Sequence, residues 1–251
     1  MKKTLIALFA LGGMAMALDT PSPIAEWNDF SSMTSNDYTI STSGNSRVSD
    51  NILYVSGAAN GTANIDLTGK GLTFANGLSV AMLVSDVKDG TSGKYPTGLL
   101  SFMSNSENFY ALAGIGLTSN DNMGGFACKG STGNITVTNR ADVSVLREST
   151  PTMAVATFAS NSFSLYVDGD LVATGVPKGG FSADQVLTKL SFGSWAGNSG
   201  SGVLSEKIYS LAIYDTALTA EQVKSLSIPE PTTGTLSLLA LAGLCARRRK
   251  K

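Results

Sequence analysis

Apolar and polar residues alternate with a period of two along much of the chain between Leu18 and Leu226. Phe163, Leu165 and Val167 share one parity, as do Leu78, Val80 and Met82. This period places side chains on opposite faces of an extended strand, and marks strands with one buried face. Asp168-Gly169 separates the run ending at Val167 from Leu171–Ala173. Two residues that tolerate positive φ between two alternating runs predict a tight hairpin. Further strands are expected over Asn36–Ser41, Arg47–Val55, Ile65–Leu67, Leu72–Val87, Gly98–Met103, Phe109–Ile115, Phe126–Cys128, Met153–Phe158 and Ile208–Asp215. In Arg47–Val55 the inward set is read as Ile52, Tyr54 and Val48. Ser119–Gly125 reads as a turn, as do Asn60-Gly61 and Gly69-Lys70-Gly71. The period changes only near the end of this region. There Leu218, Gln222 and Val223 follow a helical turn after Thr219, with Glu221 as first-turn acid. Roughly a dozen short strands separated by Gly/Asn/Ser turns predict an all-β, two-sheet antiparallel sandwich closed by one short helix.

The two ends break this pattern. Met1-Lys-Lys-Thr, the apolar run Leu5–Leu11 and the small-x-small site Ala15-Met-Ala17 form a signal-peptide pattern over residues 1–17. Residues 227–251 read as a tail: Pro229-Glu230-Pro231, an apolar stretch Leu236–Ala246, then Arg247, Arg248, Arg249, Lys250 and Lys251. The prolines end the preceding helix, and the basic cluster resists translocation. Leu236–Ala246 is short for a stable span, which favours transient membrane association. Residues 18–226 are left as one domain, since no linker long enough to divide them is present.

Order and spacing in the second half resemble the laminin-G-like domains of the concanavalin-A-like lectin/glucanase jelly rolls. The residues that carry this are Tyr166–Gly169, Ser191–Gly193, Ile208–Asp215 and Ala217–Val223. The tail is similar to the PEP-CTERM sorting signal. The resemblance implies a jelly roll whose early strands pair with the closing strand. It also implies cleavage near Pro229-Glu230-Pro231 by an exosortase-type transpeptidase, after signal peptidase has acted near Ala17. The expected destination is the cell envelope, outer surface or extracellular matrix.

Charge narrows the partners. The formal charge of −1 conceals basic ends, and residues 18–228 carry eighteen acidic and eleven basic residues, a net of −7. Such a body argues against nucleic acid, whose phosphates require clustered Lys and Arg. The chain has no histidine, which removes His acid–base chemistry and His-ligated metals. Cys128 is therefore read as a small buried residue rather than a nucleophile.

Jelly rolls of this class include glycosidases, but a retaining pair on one strand needs carboxylates at alternating positions, and no Glu-x-Asp-x-x-Glu motif occurs. Asp168 and Asp170 are read as turn formers, so the expectation is a binding domain and not an enzyme. Trp195, in the glycine-rich stretch Ser194–Gly202, is the main candidate for stacking on a sugar ring, with Tyr95 and Tyr110 as weaker candidates. Calcium is the candidate ion. It takes oxygen ligands, and Asn120, Asp121 and Asn122 are the best loop-borne set, ahead of Asp86 with Asp89. The expected partner is a glycan or surface protein. A purely structural envelope module and a divergent glycan hydrolase are the alternatives.

Overall fold

The computed structural model describes residues 20–56, 61–89, 97–104, 113–117, 122–126, 141–142, 144–160, 162–175, 183–193 and 204–227. In chain order the first strands are β1 (Ala25–Trp27), β2 (Thr34–Ser35), β3 (Tyr38–Thr42), β4 (Arg47–Ser49), β5 (Ile52–Val55), β6 (Ala63–Asp66), β7 (Leu78–Asp89) and β8 (Thr97–Ser104). They are followed by β9 (Ala113–Leu117), β10 (Asn122–Phe126), β11 (Ala141–Asp142), β12 (Thr152–Ala159), β13 (Ser162–Val167), β14 (Asp170–Gly175), β15 (Leu187–Phe192) and β16 (Leu204–Tyr214). A 3-10 turn spans Ser144–Arg147, and one helix, α1, spans Ala220–Ser227.

All described pairings are antiparallel. One sheet runs β14-β13-β12-β7-β16-β5-β4, with β1 added alongside β16, and the other runs β11-β10-β9-β8-β15-β6-β3-β2. The fold is the expected all-β two-sheet sandwich with one short C-terminal helix. The closing strand β16 sits at the centre of the first sheet. It pairs with β7 on one side, and with β5 and β1, from the start of the domain, on the other.

The alternating pattern explains the core. Leu78, Val80, Met82 and Val84 of β7, Phe163, Leu165 and Val167 of β13, and Leu190 and Phe192 of β15 point between the sheets and are buried. Phe158 of the first sheet meets Phe102 of the second edge to face at 5.3 Å, and Phe74 stacks on Phe158 at 4.9 Å. Burial of each such ring contributes roughly 1.5–3 kcal/mol. The 168–169 hairpin forms as expected, with Asp168 at φ 49° and Gly169 at φ 87°. Asp168 also accepts a hydrogen bond from the Met153 amide through Oδ1 at 3.0 Å, which fits its reading as a turn former.

A second apolar layer lies on the outer face of the first sheet. Ala81, Val155, Tyr166 and Tyr214 are covered there by Leu218 and Val223. The helix is nucleated by a reciprocal capping pair: the Thr219 amide donates to Gln222 Oε1 at 2.9 Å, and the Gln222 amide to Thr219 Oγ1 at 3.3 Å. Ser79 Oγ pins the approach by donating to the Thr216 carbonyl at 2.8 Å and accepting from the Leu218 amide at 2.9 Å. Thus α1 covers the β7–β12–β13 part of this outer face. The part formed by β4, β5 and β16 carries another set of residues.

Two expectations about strands are corrected. Arg47–Val55 is a hairpin, not one strand, because Asp50 (φ 53°) and Asn51 (φ 60°) form a turn between β4 and β5. Its inward residues are Val48, Leu53 and Val55, so Val48 faces the core as expected, while Ile52 and Tyr54 face outward, opposite to the reading from parity alone. Likewise Asn122–Gly125, read as part of a turn, belongs to strand β10, which also takes in Phe126 and pairs to β9 and β11. Its glycines weaken strand propensity, but pairing to neighbours on both sides overrides it.

Candidate functional site

The geometry singles out one end of the sandwich. β5 ends there at Val55, paired with Glu206, and β7 ends at Asp89, paired with Leu204. In the second sheet β15 ends at Phe192, paired with Ala63 and Leu100, while Leu117, the end of β9, pairs with Thr97, the start of β8. The two sheets are joined at this rim by the Leu204 amide, which donates to the Gly193 carbonyl at 2.7 Å. Gly193 has φ +72°, and a Cβ there would lie 2.2 Å from Val55 Cγ1 and 2.7 Å from the Leu204 carbonyl oxygen. Only glycine fits that backbone and that approach. The Ser56 amide donates to Ser46 Oγ at 2.9 Å and closes the β5 side.

Beneath this rim lies Glu206. Leu204, Glu206 and Ile208 share the inward parity of β16, and Glu206 is only 2% exposed. It sits opposite an irregularity in β7, where Asp86 adopts φ 54°. Neither carboxyl oxygen has a hydrogen-bond partner. Burial pushes the Glu206 carboxyl well above the ordinary carboxylate range. The Gly193 backbone pulls weakly the other way without completing a bond of good geometry. Burial between the sheets thus favours the neutral form of Glu206 over the carboxylate. Glycoside hydrolysis by paired carboxylates would need a second acid across the scissile bond.

The structure places the sequence candidates unevenly. Trp195, Tyr95, Tyr110, Asn120 and Asp121 lie outside the described residues, as do Ala15, Ala17, Pro229, Glu230, Pro231, Arg247, Arg248, Arg249 and Cys128. Asn122 is described only as the first residue of β10, paired with Asp142. The strand ends that bracket Tyr95 (Asp89 and Thr97), Trp195 (Phe192 and Leu204) and Asn120-Asp121 (Leu117 and Asn122) all belong to the Glu206 rim. Those that bracket Tyr110 (Ser104 and Ala113) belong to the opposite end.

The Asp86–Asp89 reading is corrected. The Asp86 carboxylate is engaged by Lys207 Nζ at 3.0 Å, Ser85 Oγ at 3.0 Å and Ser149 Oγ at 3.2 Å. Lys207 is the main cause that holds Asp86 below the usual range. Among the described residues no three Asp, Glu, Cys or His side chains converge to hold an ion.

Sequence reasoning did not single out Glu206. The signal was present: extending the closing strand back to Leu204 puts an acid in an inward slot between two apolar ones.

Residues 59–224 match the family model described as the concanavalin A-like lectin/glucanases superfamily, Laminin_G_3. The chain belongs to that family. No curated protein matches it. Among solved structures, a Trypanosoma rangeli sialidase in complex with 2,3-difluorosialic acid superposes with a TM-score of 0.53 at 17% identity. That match covers 78% of this chain and 29% of the sialidase chain. The receptor-binding domain of a botulinum neurotoxin C/D mosaic serotype gives a TM-score of 0.57 at 12% identity, covering 84% of this chain and 52% of that one. A botulinum neurotoxin DC binding domain in complex with SialylT gives 0.55 at 13%, covering 83% and 51%. The chain thus spans about half or less of the length of these structures, and the likeness establishes the shared fold.

Proposed function

We propose that this chain is an exported, non-catalytic glycan-binding protein of the cell surface or extracellular matrix, and that it engages its ligand at the rim above Glu206. The observation that carries this reading is strand register. It brings the strand ends bracketing Trp195, Tyr95 and Asn120-Asp121-Asn122 to one end of a lectin-class sandwich, around Gly193. An aromatic side chain in a glycine-rich connection offers a face for a sugar ring, and nearby amide and carboxylate oxygens offer polar contacts. Absence of histidine and of a Glu-x-Asp-x-x-Glu strand supports binding over hydrolysis.

Export rests on residues 1–17 and 227–251. Signal peptidase acts after Ala17. An exosortase-type transpeptidase acts near Pro229-Glu230-Pro231, and Arg247, Arg248 and Arg249 hold the tail at the membrane until then. Among the described residues no helix is long and apolar enough to cross a membrane.

Two measurements test this reading. The first screens wild-type chain and Trp195→Ala on a glycan array with and without calcium. Loss of the bound signal in the variant, with an unchanged melting curve, is expected; equal binding by both rejects the rim. The second is the intact mass of protein released from the native producer. A mass that still includes residues 1–17 and 232–251 rejects the processing.

A further inference from the structure

The open part of the first sheet's outer face carries a row of side chains that neither the core nor the rim accounts for. Arg47 of β4 pairs with Tyr54 of β5, Tyr54 pairs with Lys207 of β16, and Lys207 pairs with Ser85 of β7. One straight row therefore crosses four strands on one face. Arg47 Cζ and Lys207 Nζ both lie over the Tyr54 ring, at 5.4 and 5.8 Å from its centroid. Beside them Ser205 pairs with Lys88, which is exposed on the same face. Tyr209 adds a half-buried ring, its hydroxyl 3.2 Å from Ser85 Oγ.

Among the described residues the β4–β5–β16–β7 stretch of the face holds three cations, Arg47, Lys88 and Lys207; Asp86 is already paired with Lys207, and Glu26 of β1 lies farther along β16, opposite Ala212. This occurs on a body whose residues 18–228 carry a net charge of −7. Gathering like charges in neighbouring positions is unfavourable unless an anion offsets it.

We propose that this face binds an acidic polysaccharide, with the carboxylates of uronic-acid residues held by Arg47 and Lys88 and the sugar rings lying along Tyr54 and Tyr209. Three observations select this class. Arg47 is exposed with its guanidinium over the Tyr54 ring, and that planar group suits bidentate pairing with a carboxylate. Hydroxyls of Ser205, Ser210 and Tyr209 on the same face suit the hydroxyls of a sugar chain. A pleated sheet face offers no helix N-terminus or backbone nest for phosphate. The site is on the sheet face and does not depend on the rim reading above.

Affinity electrophoresis of the full chain in gels containing polygalacturonate, dextran or no polysaccharide tests it. Retardation is expected in polygalacturonate alone, and it should weaken as salt rises. Arg47→Ala and Lys88→Ala should each weaken it about tenfold, the factor that one charge-assisted contact supplies. Both are exposed positions, so a melting curve will show that the fold is kept. Trp195→Ala should leave the retardation unchanged, which separates this face from the rim. Three results overturn the proposal: no retardation of the wild type, full retardation of the Arg47→Ala/Lys88→Ala double variant, or displacement by poly-glutamate as effective as displacement by galacturonate oligomers. The last would identify the face as a docking surface for acidic protein.

Discussion

Replacing Glu206 by glutamine should make the protein more stable at neutral pH, and the gain should grow with pH. Glu206 is 2% exposed, both its oxygens lack partners, and burial raises its carboxyl well above 4.5. The unfolded chain releases this proton near the ordinary value of about 4.3. Above that pH the folded state holds one more proton than the unfolded state, so stability falls as pH rises until the folded group also ionises. The slope in that window is at most about 1.4 kcal/mol per pH unit, and below about pH 4 the penalty vanishes. Glutamine has nearly the same shape and never ionises, so Glu206→Gln keeps the burial and removes the slope. Urea unfolding of both proteins from pH 4 to pH 8 measures this directly. The curves should coincide near pH 4 and separate steadily above pH 5, the variant being the more stable. A difference that does not change with pH, or a variant weaker throughout, would show that Glu206 is ionised and paired in the folded protein.

Two further outcomes follow from the packing. Gly193→Ala forces a Cβ to 2.2 Å from Val55 Cγ1 at φ +72°; a loss of about 2–4 kcal/mol in chemical denaturation is expected, from overpacking and left-handed strain together. Ser79→Ala leaves the half-buried Thr216 carbonyl and the buried Leu218 amide without the hydroxyl that joins them. It should cost about 1–3 kcal/mol and raise amide exchange in α1 more than in β7.

Why the candidate sites divide as they do is visible in particular residues. Trp195 was conspicuous in the sequence because it is a rare residue in a glycine-rich stretch, and composition alone marks such a residue. Glu206 was inconspicuous because an acid is ordinary on a strand until its parity is known to be inward. That parity is fixed by pairing with Val55 across the sheet. Tyr54 shows the same limit in reverse. Its alternation with Ile52 is readable, but the Asp50–Asn51 turn put Val48 on the core side and Ile52 and Tyr54 on the other, and the pairing of Tyr54 with Lys207 fixed that face as the outer one.

By itself the sequence determined what depends on near neighbours in the chain. It determined the strand period, the Asp168–Gly169 hairpin, the Thr219 helix start, the two unusual ends and the absence of histidine chemistry. These follow from backbone sterics, local hydrogen bonds and composition, all written within a few residues. Only the tertiary structure decided that β16 would lie between β5 and β7, that an acid would be sealed beneath Gly193, and that Arg47, Tyr54 and Lys207 would form one row. Those outcomes depend on sheet register between segments far apart in the chain. A shift of one residue in register exchanges every inward side chain for an outward one, and no local pattern fixes which register is adopted.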